Sequence, residues 1–171
     1  MDLDFSRLDR RRTILGGVAS ILLIISVLFL PWYGLDVNPQ REVGGPDYSA
    51  DAFICGEGEF SCTGFETFPI MRWFLLAAAL APAILGWILI RGHKLSWAPG
   101  ELTMVVGFTA FMLILYNGLI DRPGTQIAES GVSLKWGYFV ALLATAMMSA
   151  TGFLRSQESG GRKERKAPGT V

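Results

Sequence analysis

LTMVVGFTAFMLILYNGLI, residues 102–120, runs for nineteen residues without an Asp, Glu, Lys or Arg. A helix rising about 1.5 Å per residue carries such a run across nearly the whole ~30 Å hydrocarbon core of a bilayer. Three more uncharged runs, at 13–31, 73–90 and 136–154, have the same character. The pattern predicts an all-α fold, a four-helix transmembrane bundle with spans at about 13–31, 70–90, 102–120 and 136–154. Composition agrees: 51% of residues are hydrophobic and only 18% charged, against roughly 25% charged in soluble domains.

The formal net charge of zero conceals a segregation of sign. Arg7, Arg10, Arg11, Arg12, Arg91, Lys94, Arg155, Arg162, Lys163, Arg165 and Lys166 flank the spans on one side. Arg41, Arg72, Arg122 and Lys135 are the only basic residues on the other. Short basic loops resist translocation, so the richer side is cytoplasmic and both termini face it. The expected location is the plasma membrane, with residues 1–12 as a cytoplasmic N-terminus and 155–171 as a disordered basic tail. Trp32, Tyr33, Trp73, Tyr116, Trp136 and Tyr138 fall at the outer ends of the spans, where amphipathic rings are expected to mark the interface. Span 1 is too long for a signal peptide and no Ala-x-Ala element follows it, so it is read as retained.

The only sizeable segment outside the membrane is the outer loop 32–69. It holds Asp36, Glu42, Asp47, Asp51, Glu57, Glu59 and Glu66 against the single Arg41, with frequent Gly and Pro. Turn-rich composition predicts a mostly irregular loop resting on the helix ends, with one short helix over 48–54 capped by Ser49 and with Phe53, Phe60, Phe65 and Phe68 as anchors. Cys55 and Cys62, the only cysteines, lie on the oxidising side and are expected to form a structural disulfide.

Catalytic and ligand chemistry finds little purchase. Membrane thiol oxidoreductases need a close Cys pair and a second relay pair; this chain has one pair at wider spacing. Cys55, Glu57, Glu59 and Cys62 are not a usual zinc set, and the acidic loop lacks a calcium-loop pattern. No phosphate-loop motif is present, and His93 is the sole histidine. No cofactor, metal or nucleic-acid partner is expected; the tail lacks the aromatic platform that nucleic-acid binding would add to its charge. The span interiors carry no ionisable group of the kind that marks transport pathways. Three polar residues at the outer helix ends stand out: Arg72 and Asp121 as a candidate interfacial ion pair, and Asn117 as a candidate interhelical contact. Small residues (Ala141, Thr145, Ser149 and Gly152 in span 4; Ala77 to Ala83 in span 2) offer close helix packing, and Pro82 is expected to kink span 2. The reading is a non-enzymatic structural, accessory or sensory membrane protein. Its expected partners are the lipid bilayer, another membrane protein or a second copy of itself. The alternatives are an oligomeric transporter or channel subunit and, less favoured, a thiol-disulfide oxidoreductase.

Leu-Pro-Trp-Tyr-Gly at 30–34, Ala-Asp-Ala-Phe at 50–53, Leu-Tyr-Asn-Gly-Leu-Ile-Asp-Arg-Pro-Gly at 115–124 and Lys-Trp-Gly-Tyr at 135–138 together resemble small four-span bacterial membrane proteins of actinobacterial type, over most of residues 10–155. The resemblance implies the topology and no activity; the segment bearing Cys55 and Cys62 departs from it.

Overall fold

The computed structural model describes residues 10–36, 61–91, 99–121 and 131–164. Its elements are α1 (Arg10–Phe29), β1 (Pro31–Asp36), β2 (Ser61–Thr63), α2 (Gly64–Thr67), α3 (Met71–Ile90), α4 (Pro99–Leu119), β3 (Gly131–Leu134) and α5 (Trp136–Glu164). The described chain is mostly helical, at 82%. Three helices are long and apolar enough to cross a membrane, over Met71–Ile88, Gly100–Leu119 and Trp136–Gln157. The apolar stretch of α1, Ile14–Phe29, is shorter; the helix reaches 20 residues by continuing through Arg10–Thr13.

The helices pack with α5 at the centre, against α4 on one side and α1 on the other, while α1 also packs on α3. Ala19, Leu23 and Val27 of α1, Leu75 and Ala79 of α3, Ile114 of α4 and Ala141, Ala144 and Met148 of α5 are fully or almost fully buried. The α4–α5 contact is close because glycine permits it. A Cβ on Gly107 would stand 2.7 Å from the Ser149 backbone nitrogen, and one on Gly100 2.6 Å from that of Ser156. A Cβ on Gly152 would strike the Met104 backbone. Hydroxyls in the core are satisfied within their own helices: Ser20 donates to Gly16 O at 2.9 Å, Thr145 to Ala141 O at 2.9 Å, and Thr151 to Met147 O at 2.9 Å. Such back-bonding removes most of the cost of burying an OH. Helix α3 runs unbroken from Met71 to Ile90 with Pro82 inside it.

Two features go beyond the sequence expectations. Within the outer loop expected to be mostly irregular, the described ends form β1 and β2, and β1 lies at the centre of a three-stranded antiparallel sheet of order β2-β1-β3. Tyr33 pairs with Cys62 on one side and with Leu134 on the other. Leu-Pro-Trp-Tyr-Gly reads locally as a helix end with interfacial rings, and only pairing with strands far along the chain makes it β. The second concerns the tail, since α5 continues without a break from the expected end of span 4, at 154, to Glu164. The short helix expected over 48–54 lies outside the described residues, as do Phe53, Phe60, Cys55, His93 and Trp97.

Candidate functional site

The sheet end of the molecule is where the sequence-selected residues gather. Strand β1 begins at Pro31, which has no ladder donor to lose at a strand start. A register irregularity against β2 between Pro31 and Tyr33 breaks the alternation of faces, and consecutive Trp32 and Tyr33 are both buried, at 0% and 1% exposure. Trp32 meets Phe68 and Tyr138 edge-on, at centroid distances of 6.3 and 6.1 Å, and Tyr33 meets Phe68 at 5.9 Å. Edge-to-face contacts of this kind add about 0.5–1.5 kcal/mol each beyond the area they bury.

Three glycines make room for the rings. A Cβ on Gly64 would sit 2.6 Å from the Trp32 indole, one on Gly137 2.7 Å from the same ring, and one on Gly118 inside the Tyr138 ring. The polar edges of Trp32 and Tyr33 are bonded. Trp32 Nε1 donates to Ser26 O at 3.0 Å and Oγ at 3.1 Å, and Ser26 Oγ donates to Gly137 O at 2.6 Å. Tyr33 Oη donates to the Asn117 carbonyl at 3.2 Å, and Lys135 N to Trp32 O at 2.8 Å. These contacts tie the end of α1 to the start of α5 and the end of α4.

Burial of Trp32, Tyr33 and Tyr138 corrects the expectation that these rings mark an interface. Trp73, Trp136 and Tyr116, at 60%, 80% and 50% exposure, do face outward. Phe65 and Phe68 pack on the core as partly buried residues.

The remaining selected residues surround the cluster. Asn117 lies in the last turn of α4, where its Nδ2 donates to Leu113 O at 2.8 Å and stands 3.3 Å from Met71 Sδ on α3. Arg72 turns towards aromatic groups. Its guanidinium carbon lies 4.5 Å from the Phe65 ring centroid and 5.5 Å from that of Trp73. Its Nη1 donates to Phe65 O at 3.4 Å, while Nε is buried without a hydrogen-bond partner. Asp121 is exposed, its backbone N–H bonded to Tyr116 O, and is not among the partners of Arg72. Cys62 is buried at 1% exposure in β2 and is disulfide-bonded.

The sequence reading missed Thr63 and Glu66. Thr63 caps α2 and its backbone N–H donates to the Glu66 carboxylate at 2.9 Å, a reciprocal capping box. The Thr-x-x-Glu spacing was the available signal. Among the described residues no group of three or more His, Cys, Asp or Glu could hold a metal. Two open apolar grooves run along the helices: one of about 300 Å³ between α3 and α4, lined by Phe74, Ala78 and Ala110 among others, and one of about 600 Å³ between α4 and α5.

The fold and this site thus define an α-helical protein with three helices of membrane-spanning character, closed at one end by a small sheet over an aromatic cluster. No protein-family model matches the chain, and no curated protein or solved structure is similar to it at a significant level.

Proposed function

We propose that the chain is a four-span integral protein of the plasma membrane, a four-helix bundle with both termini cytoplasmic and the sheet end outside. In this reading it serves as a non-catalytic structural, accessory or sensory component that acts through its capped outer end and its helix surfaces. One observation carries the membrane part: the helix surfaces are apolar as well as the core, unlike those of a water-soluble bundle. Phe74, Leu80, Ile84, Phe108, Leu143 and Phe153 are exposed, whereas Ser26, Thr103, Thr145 and Thr151 are buried. Contiguous apolar surface of this kind is a liability in water and ordinary in lipid. The apolar stretch Ile14–Phe29 of helix α1, about 24 Å long, is read as the fourth span, with Arg10–Arg12 at its cytoplasmic end.

The basic residues supply the orientation, and the Arg91 guanidinium over the Trp87 ring at 4.8 Å suits the cytoplasmic boundary, where a cation and an indole are both at home. The resemblance to actinobacterial-type four-span proteins is part of the same proposal; residues from three of its four elements, Trp32 and Tyr33, Asn117 and Gly118, and Tyr138, meet at the aromatic cluster. The outer segment is fastened by a Cys55–Cys62 disulfide. Trp32 and Tyr33 spend their polar groups on internal bonds, which suits a rigid cap.

Labelling of single cysteines introduced into a Cys55→Ser, Cys62→Ser background tests the topology. Positions 8 and 160 should react with a membrane-impermeant maleimide only after lysis, and position 125 in intact cells. Labelling of position 8 or 160 in intact cells overturns the orientation. Purification in mild detergent, with identification of what co-purifies, then tests the accessory role.

A further inference from the structure

Arg72 stands in the first turn of α3, where the positive end of the helix dipole disfavours a cation and no acidic residue offsets it. Its guanidinium lies in the corner between Phe65 and Trp73, two rings that themselves meet edge-on at a centroid distance of 5.9 Å. Its internal bonding is thin. Nη1 reaches the Phe65 carbonyl at 3.4 Å, Nε is enclosed without a partner, and Nη2 is neither bonded nor enclosed. The nearest carboxylate in sequence, Glu66, is committed elsewhere: it accepts from the Thr63 N–H at 2.9 Å and from the Thr63 hydroxyl at 3.0 Å. Among the described residues this cation has no counter-ion.

A charge held against apolar rings is screened poorly by water, and a partly buried cation without a partner is costly. An anion from outside the chain removes that cost, and position decides which anion. Arg72 is the second residue of the apolar stretch Met71–Ile88, and Ile70, Trp73 and Phe74 beside it are exposed. Such a surface belongs in lipid, and the anions found at the end of a span are the phosphates of lipid headgroups. Nη2 and the remaining N–H of Nη1 make up the end of the guanidinium fork, whose spacing matches two phosphate oxygens. A phosphate gripped there also meets the positive end of α3. We infer that Arg72, braced by Phe65 and Trp73, is a binding site for the phosphodiester headgroup of a membrane phospholipid. This rests on the membrane reading above.

Native mass spectrometry of the full-length protein in mild detergent, titrated with phosphatidylglycerol, tests the site. Wild type should retain one lipid in preference to further ones. Arg72→Gln should bind that lipid about tenfold more weakly, the scale of one charge-assisted contact. Arg72→Lys, a cation without the fork, should fall between the two; binding equal to wild type overturns the fork. Diacylglycerol, with the same tails and no phosphate, should bind wild type about as weakly as phosphatidylglycerol binds Arg72→Gln. This comparison of two lipids needs no variant, so it holds even where Arg72→Gln fails to fold. Equal wild-type affinity for both lipids, or undiminished affinity in Arg72→Gln, overturns the site. Inorganic phosphate at millimolar concentration should leave the lipid in place; displacement overturns the lipid as occupant. Alkaline extraction of cell membranes separates the two readings: protein that resists extraction yet shows no preference for the phosphate-bearing lipid overturns the site alone, and protein released by it overturns both.

Discussion

The sheet end and the middle of the helices solve the same problem by opposite means. At the sheet end, backbone polar groups leave the helices, and strand pairing with β2 and β3 satisfies them. Large rings fill the space between, and glycines at 64, 118 and 137 yield to them. In the middle, the helices satisfy their own backbone apart from the one bond that Pro82 cannot donate, rings face outward, and glycines at 100, 107 and 152 let α4 and α5 touch backbone to backbone. Glycine is permissive in both places for the same reason, the absence of Cβ. What it admits differs: aromatic side chains in one, a neighbouring helix in the other. Stability at the sheet end should therefore follow ring volume, and stability in the middle should follow how closely the helices approach.

The largest break in that comparison is Trp32→Ala. It empties the centre of the cluster and removes the donor to Ser26, and should cost about 3–5 kcal/mol, read as a fall in the unfolding midpoint in mild detergent. Trp32→Phe should recover part of the loss; full recovery would mean that the Nε1 bond contributes nothing.

Next comes the strand edge. Cys62→Ser should cost about 2–3 kcal/mol if a short disulfide ring holds β2 against β1. Reducing agent should shift wild type by the same amount and leave the variant unmoved; an additive shift would disconnect the two effects.

A pair of glycine substitutions sharpens the other half. Gly152→Ala forces α4 and α5 apart and should cost about 1–3 kcal/mol. Gly17→Ala meets nothing within 4 Å and should gain about 0.5–1 kcal/mol through helix propensity. Equal signs for the two in the same unfolding measurement would remove close approach as the explanation.

The smallest effect belongs to the capping box. Thr63→Ala should cost about 1 kcal/mol, and Thr63→Ser should retain most of it.

Legibility of the chain follows the range of its interactions. The apolar helices were readable because the cost of a charge in lipid is paid residue by residue, and a window of twenty residues contains the whole argument. Asn117 and Arg72 were also visible as polar residues at apolar helix ends, although nothing local shows that Arg72 lies against Phe65 and Trp73. The sheet was hidden for a different reason. Ser133 Oγ donates to Gly34 O, two residues 99 positions apart, and strands of three to six residues carry too little pattern to announce such pairing. Trp32 and Trp136 look alike in sequence, each an indole at a helix end with a tyrosine within two residues. One is fully buried and the other 80% exposed.

The sequence by itself determined which stretches are helical and apolar, because that follows from the transfer cost of individual side chains. The tertiary structure alone decided which rings turn inward, which glycines admit a ring and which a neighbouring helix, and which short segments pair as strands. Each of these depends on surfaces brought together from opposite ends of the chain.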